Sequence, residues 1–250
     1  MIKIEHVVLA SPEQMEFIIE SMRNPTNSWE NSDSTFNYRY KMCYGSCTYC
    51  EETDFYLGPD DYSLMYHLSN VDTDHRKFMR MMPVYVRITA PLYWWKEFDT
   101  YKIGTISNSC DMAHKISKKE FTLEDFSTDH LKNKPFDRDW ITSAMIDEDN
   151  KSSHKVWATP LDILRYTIEM LNLYRTEYLE TESKDAWWQM IQLLPSSYNQ
   201  TRNVMLNYEV LANIYKSRKT FNPNEWCSFC NWIERLPYSK LITGKENNND

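Results

Sequence analysis

Val84 to Lys115 reads V-Y-V-R-I-T-A-P-L-Y-W-W-K-E-F-D-T-Y-K-I-G-T-I-S-N-S-C-D-M-A-H-K, and it decides the fold. Over Pro83 to Ala90, the side chains of Val84, Val86, Ile88 and Ala90 fall on one face and those of Tyr85, Arg87 and Thr89 on the other. That two-residue period predicts a half-buried strand. Pro91 then stands where a first helical residue belongs, because its missing N–H has no partner there. Trp94, Phe98 and Tyr101 recur at helical spacing, which gives the helix an aromatic stripe. The segment from Lys102 to Asp111 is a polar loop with Thr105, Ser107, Asn108, Ser109 and Cys110. Such a density of hydroxyls, amide and thiol after a strand–helix unit suits either a polar ligand or a solvated turn.

Outward from this unit, Ile2 to Ala10 predicts a first strand with Ile2, Ile4, His6 and Val8 on one face. Ser11-Pro12-Glu13-Gln14 is a helix start: a serine cap, proline in the first turn, and glutamine reaching back. That helix ends near Asn24-Pro25. Tyr38 to Tyr44 suits a short strand or a helix, and Asp60 to Leu68 predicts a helix. Thr122 to Asp125 can open a short one. The second half reads almost entirely helical: Pro160 to about Leu179, Asp185 to Leu194, Arg202 to Lys219, and Asn224 to Leu236. The tail from Gly244 to Asp250 is charged and amide-rich, and disorder is expected there.

With 250 residues, 42% of them hydrophobic, the chain can bury a substantial core as one domain. It has no long apolar run, so no membrane span is expected. The N-terminus is too short and too charged for a signal peptide, which points to the cytoplasm. A net charge of −8 gives no electrostatic footprint for a nucleic-acid polymer, although a local basic pocket can still hold a nucleotide. Only 4 glycines are present, which excludes a dinucleotide fingerprint or a P-loop and leaves side chains and helix ends to hold any phosphate.

Cys43, Cys47 and Cys50 form C-x3-C-x2-C, the spacing of an iron–sulfur ligand set. Cys47 and Cys50 with Cys227 and Cys230 have the composition of a zinc site. The plainer reading, reduced thiols partly buried as small apolar residues, is preferred, and no metal is assigned. Core packing is likewise the preferred reading of Trp94-Trp95 and Trp187-Trp188; the alternative is subunit contact.

Thr100 to Met112, T-Y-K-I-G-T-I-S-N-S-C-D-M, resembles in frame the signature R-H-R-x-x-S-x-N-E-x-S-x-R of the flavin-dependent thymidylate synthases. Lys102 stands for an arginine, Thr105 for a serine, Ser107 for the asparagine and Cys110 for the later serine. Thr100, Tyr101, Asn108 and Met112 replace the other signature residues. A second anchor follows Leu194-Pro195, where Asn207, Asn213 and Arg218 reproduce the family's N-x5-N-x4-R. His75, in T-D-H-R-K-F, lies where the family has a flavin-contacting histidine. Glu97 stands where the family has glutamine, and Ile191 where it has a phosphate-binding arginine. The resemblance spans roughly Tyr38 to Trp232.

The resemblance implies an α+β fold, a small and mostly antiparallel sheet packed with long helices, like that of the thymidylate-synthase-complementing proteins. One such domain over 1–243 is expected. It further implies that His75, Asn207 and Asn213 contact FAD, and that Lys102, Thr105, Ser107 and Arg218 bind dUMP. Arg218 and Cys110 are the catalytic candidates. The implied assembly is a homotetramer with sites at subunit interfaces, and the implied reaction is reductive methylation of dUMP to dTMP. The replaced signature also suits a relative that binds or modifies another nucleotide, or a non-catalytic binding protein. On one continuous helix, Asn207 and Arg218 would lie about 16 Å apart along a single stripe, with Asn213 turned away from it.

Overall fold

The computed structural model describes residues 2–41, 50–109, 118–134, 159–220 and 224–244. Cys43, Cys47, Cys110, Met112 and the tail beyond Gly244 lie outside these residues. By internal contacts the chain forms two compact units. One comprises residues 90–96 and 109–201; the other comprises residues 2–89, 97–108 and 202–250.

The second unit carries the antiparallel pair of β1 (Lys3–Leu9) and β4 (Pro83–Pro91), the latter running on into the first unit. Val84, Val86 and Ile88 are buried at 3% exposure or less while Tyr85 and Arg87 are exposed, so the two-residue period holds along β4. β1 does not keep its predicted alternation. Its register against β4 shifts between Glu5 and Val8, His6 adopts a left-handed φ of 49°, and Val7 and Val8 are both exposed. A bulge of this kind moves every later side chain to the other face.

β4 is joined in the sheet by β6 (Asn199–Asn207) and then by the short edge strand β5 (Ile106–Ser109), in the order β1-β4-β6-β5. A separate two-stranded sheet pairs β2 (Thr35–Lys41) with β3 (Cys50–Tyr56), which resolves the choice at Tyr38 in favour of a strand over the described part.

Helix α1 (Pro12–Arg23) begins with the predicted capping box, Ser11 and Gln14 satisfying each other's backbone N–H groups, and it ends at Asn24. Helix α2 (Pro59–Val71) has its first turn clasped by Asp33, whose carboxylate accepts from Asp60 N and Asp61 N. A 3-10 segment, His75–Met81, leads into β4, and α3 (Leu92–Phe98) leaves it one residue later than Pro91 would place it.

In the first unit, α4 (Pro160–Thr181) and α5 (Lys184–Leu193) pack together. Phe121, Phe126 and Tyr198 complete an aromatic core with Leu171 and Met190. Asn172 holds both backbone groups of Phe121, at 2.8 and 2.9 Å. Ile191 and Trp187 pack against this core, and Trp94 and Trp95 are 1% exposed. Trp188 departs from the core-packing expectation, with 49% of its surface exposed.

The segment Arg202–Lys219 is not one helix. Residues 202–207 belong to β6, and α6 starts only at Tyr208 and runs to Arg218. Gln200, Val204 and Leu206 turn inward, as a strand requires. The single stripe of Asn207 and Arg218 therefore does not exist: Asn207 ends a strand and Arg218 ends the helix that follows. Two further helices, α7 (Asn224–Ile233) and α8 (Lys240–Thr243), close the chain, and Phe229 packs edge-on to Phe98 at 6.1 Å.

Candidate functional site

Asn207 is 6% exposed and serves as the N-cap of α6, its Oδ1 accepting from Val210 N at 3.0 Å. The turn after α3 comes up against this cap. Gly104 has φ of 78°, and a side chain there would press on Asn207 Nδ2 and Val210 at 3.1 Å. The signature segment thus meets Asn207 through a glycine contact. Thr105 Oγ1 is buried in this turn without a hydrogen-bond partner among the described residues. Lys102 is exposed, and Ser107 is exposed on the edge strand β5.

At the other end of α6, Arg218 is held on several sides. Its Nη1 donates to Glu97 Oε2 at 2.7 Å and its Nε donates to the Tyr101 hydroxyl at 2.9 Å. The guanidinium carbon stands 4.5 Å from the Trp226 ring centroid. Trp226 in turn donates its indole N–H to the same Glu97 oxygen at 2.9 Å. Tyr101, from the predicted aromatic stripe, is therefore a partner of the arginine.

Between these ends lies a polar pocket of about 380 Å³. Asp72 and Arg76 line it from one side, Asn213, Lys216 and Lys219 from α6 and its end, and the backbone around Gly244 from α8. Asp72 Oδ1 accepts from His75 N at 2.9 Å and lies 2.8 Å from His75 Nδ1. Those bonds hold the Asp72 carboxyl below its usual range. His75 is thus fixed beside the pocket through one of its walls. Arg76 Nη2 donates to Asn213 Oδ1 at 3.2 Å, which brings the neighbour of His75 to Asn213. Glu209, largely buried at the start of α6, pairs with both Arg76 and Arg80 and ties the 3-10 segment to the helix. Lys219 pairs with Glu234, and this bond is the chief cause raising its pKa. Lys216 is exposed and has no carboxylate partner among the described residues.

Of the residues expected at the site, Asn213 lines this pocket and His75 bonds to Asp72 in its wall. Asn207 is placed as a helix cap, Arg218 is clamped by Glu97, and Cys110 lies outside the described residues. The sequence pattern missed Arg76, Lys216 and Lys219. Lys216 was within reach of a helical-face argument, three residues beyond Asn213. The meeting of Arg76 and Asn213 has no local signal. Among the described residues no group of His, Cys, Asp and Glu is arranged to hold a metal ion. Burial, and secondarily the neighbouring Cys227 and Glu234, push the Cys230 thiol up to about 11 against the pull of Lys219. Such a thiol is a poor nucleophile and a poor ligand. No described helix is long and apolar enough to cross a membrane.

No family model matches the sequence, and no curated protein does. Solved structures match along almost its whole length. A thymidylate synthase X from Helicobacter pylori with FAD and dUMP superposes with a TM-score of 0.59 at 13% identity, covering 98% of each chain. A second structure of the flavin-dependent enzyme from that organism, also complexed with FAD and dUMP, gives 0.58 at 13%, covering 97% of this chain and 98% of that one. The UMP/dUMP methylase PolB from Streptomyces cacaoi, bound with 5-Br dUMP, gives 0.52 at 13%, covering 98% of this chain and 95% of that one. The chain has the α+β fold of the flavin-dependent thymidylate synthases.

The pocket residues fit part of a flavin dinucleotide. Arg76, Lys216 and Lys219 are donors and positive charges suited to phosphate, and Asn213 and the Gly244 backbone add neutral polar groups. Its volume, near 380 Å³, falls within the range of small-molecule sites.

Proposed function

We propose that the protein is a diverged nucleotide-binding enzyme that takes a flavin nucleotide by its phosphates in the cationic pocket and reductively methylates dUMP to dTMP. The observation that carries this reading is the Arg76–Asn213 contact, which assembles a phosphate-suited pocket beside His75 on a fold shared with structures holding FAD and dUMP. Bound there, flavin supplies the redox chemistry that the methyl transfer needs.

The chain's own groups do the binding. Glu209 and Asn213 orient Arg76 so that its charge is presented at the pocket wall. Lys216 adds a mobile point charge from the helix end. On the substrate side, Lys102, Thr105 and Ser107 bind the pyrimidine nucleotide, with Lys102 at its phosphate. Arg218 polarises the ring once it leaves Glu97, and Cys110 serves as nucleophile or as hydrogen-bond donor. Other copies of the chain, in a homotetramer, complete each site.

A second reading rests on Glu97. Arg218 is already paired, stacked and hydrogen-bonded within its own chain. Such a clamp favours a relative that has given up the dUMP chemistry and uses the pocket to bind another nucleotide. Assay of dTMP formation by the flavin-loaded protein, with methylene-tetrahydrofolate and reductant supplied, separates the two. Product formed at a rate above the protein-free mixture supports methylation. Flavin bound with no dTMP formed supports the binding reading.

A further inference from the structure

A second cavity, of about 240 Å³, shares no lining residue with the cationic pocket and is opposite to it in chemistry. Met15 of α1, Phe55 of β3, Met82, Tyr208 and Tyr238 give it an aromatic and thioether wall, and Asp54 supplies its charge. Among the described residues, no lysine or arginine lines it. Asp54 is exposed and has no ion-pair partner among the described residues. The Tyr208 hydroxyl is spent on the Pro237 carbonyl at 2.6 Å, which leaves that residue's ring, and not its oxygen, for an occupant.

Tyr238 marks the place as a built one. It holds a left-handed φ of 53°, which a bulky side chain adopts only under constraint from its surroundings. Tyr238 also lines a neighbouring cavity with Tyr56 and Tyr62, its ring 6.2 Å from that of Tyr62. Burial and then the charge of Asp54 both disfavour ionisation of the Tyr238 phenol, so the carboxylate is felt at the wall.

We infer that this cavity is a binding site for a small ring-bearing organic cation, an aromatic amine in its ammonium form. Polarisable walls of aromatic rings and methionine sulfur receive the ring and stabilise a nearby positive charge. The Asp54 carboxylate in its lining, without an ion-pair partner among the described residues, receives the ammonium. A volume below the roughly 300–1,000 Å³ of drug-sized pockets limits the guest to about one ring system.

The test uses the full chain and phenethylammonium as probe, with 2-phenylethanol as its neutral counterpart, each titrated by ligand-observed NMR. The expected result is saturable binding of the amine, with the alcohol weaker by about tenfold. D54N removes that preference while leaving binding of the alcohol unchanged. Y238G, which relieves the backbone and deletes the wall, loses both ligands while keeping the fold by circular dichroism. Equal affinity of the two probes, binding of neither, or a D54N variant with the wild-type preference overturns the assignment.

Discussion

Arg218, the last residue of the second family-like anchor, and Glu97, just ahead of the first, form a 2.7 Å ion pair in which the guanidinium also stacks on Trp226. Glu97 thus already occupies the Arg218 guanidinium, which the proposed dUMP contact would have to release. The carboxylate is 39% exposed, so water screens the pair and its net contribution to stability is small, about 0–1 kcal/mol. E97Q keeps an acceptor for the Trp226 indole and removes the charge that holds the arginine. We expect the folded stability to change little and dUMP to bind about fivefold tighter, near 1 kcal/mol. Isothermal titration of dUMP against wild type and E97Q checks this. Unchanged affinity would mean that Arg218 takes no part in nucleotide binding.

Lys216 provides the cleanest probe of the cationic pocket, since it is exposed and engages no carboxylate among the described residues. K216E reverses its charge without disturbing a packed group. The expected outcome is an FAD affinity about tenfold weaker, with the melting temperature held. Adding salt should narrow the gap between the two proteins, as it does for charges in contact with water.

Asn207 separates a structural role from a cofactor role. As an N-cap it accounts for about 0.5–2 kcal/mol of stability, and N207A should lose that amount in urea denaturation. N207D restores a capping acceptor and should recover most of the loss. A cofactor contact alone would leave the stability of the flavin-free N207A protein at the wild-type value.

Asp61 carries the main pH dependence visible in the core. It is fully buried and accepts from Arg23 Nε at 2.6 Å and from the hydroxyls of Ser32 and Ser34. Burial opposes its charge, but these donors together overcome it and hold its pKa below the usual value. A depressed folded pKa means that the stabilisation is present above the unfolded value, about 3.9, and is lost as pH falls through the folded one. D61N leaves the buried Arg23 uncompensated, at a cost of about 3–5 kcal/mol near neutrality. Urea midpoints measured from neutral pH downwards should fall more steeply for wild type than for D61N.

Much of this architecture was legible before any coordinates. The inward set Val84, Val86, Ile88 and Ala90 defined β4, and Ser11 with Gln14 fixed the start of α1. Arg202–Asn207 reads as the front of a helix but belongs to β6, where Val204 and Leu206 turn inward two residues apart. The reason is physical: β6 passes into α6 without a Gly or Pro break, so the strong helical pattern after Tyr208 spread backwards over a polar strand. Asn207 itself was the missing signal, a cap-forming residue in the middle of an apparent helix.

The site was less legible than the fold. His75 and Asn213 stand out through local motifs alone, whereas the Arg76–Asn213 and Arg218–Glu97 contacts join residues more than a hundred positions apart. Tertiary pairing of that range leaves no trace in periodicity or spacing. Glu97 was noted only as a departure from glutamine, and its consequence for Arg218 emerged from the geometry.

Flavin binding is the measurement that tests the account most directly. The flavin-free protein is titrated into FAD while flavin fluorescence is followed, with K216E and an R76A–K216E double variant alongside. The account predicts saturable one-to-one quenching in wild type, weaker binding in K216E and none in the double variant. No quenching by wild type, or equal quenching by all three proteins, would contradict a flavin site in the pocket of Arg76, Asn213 and Lys216.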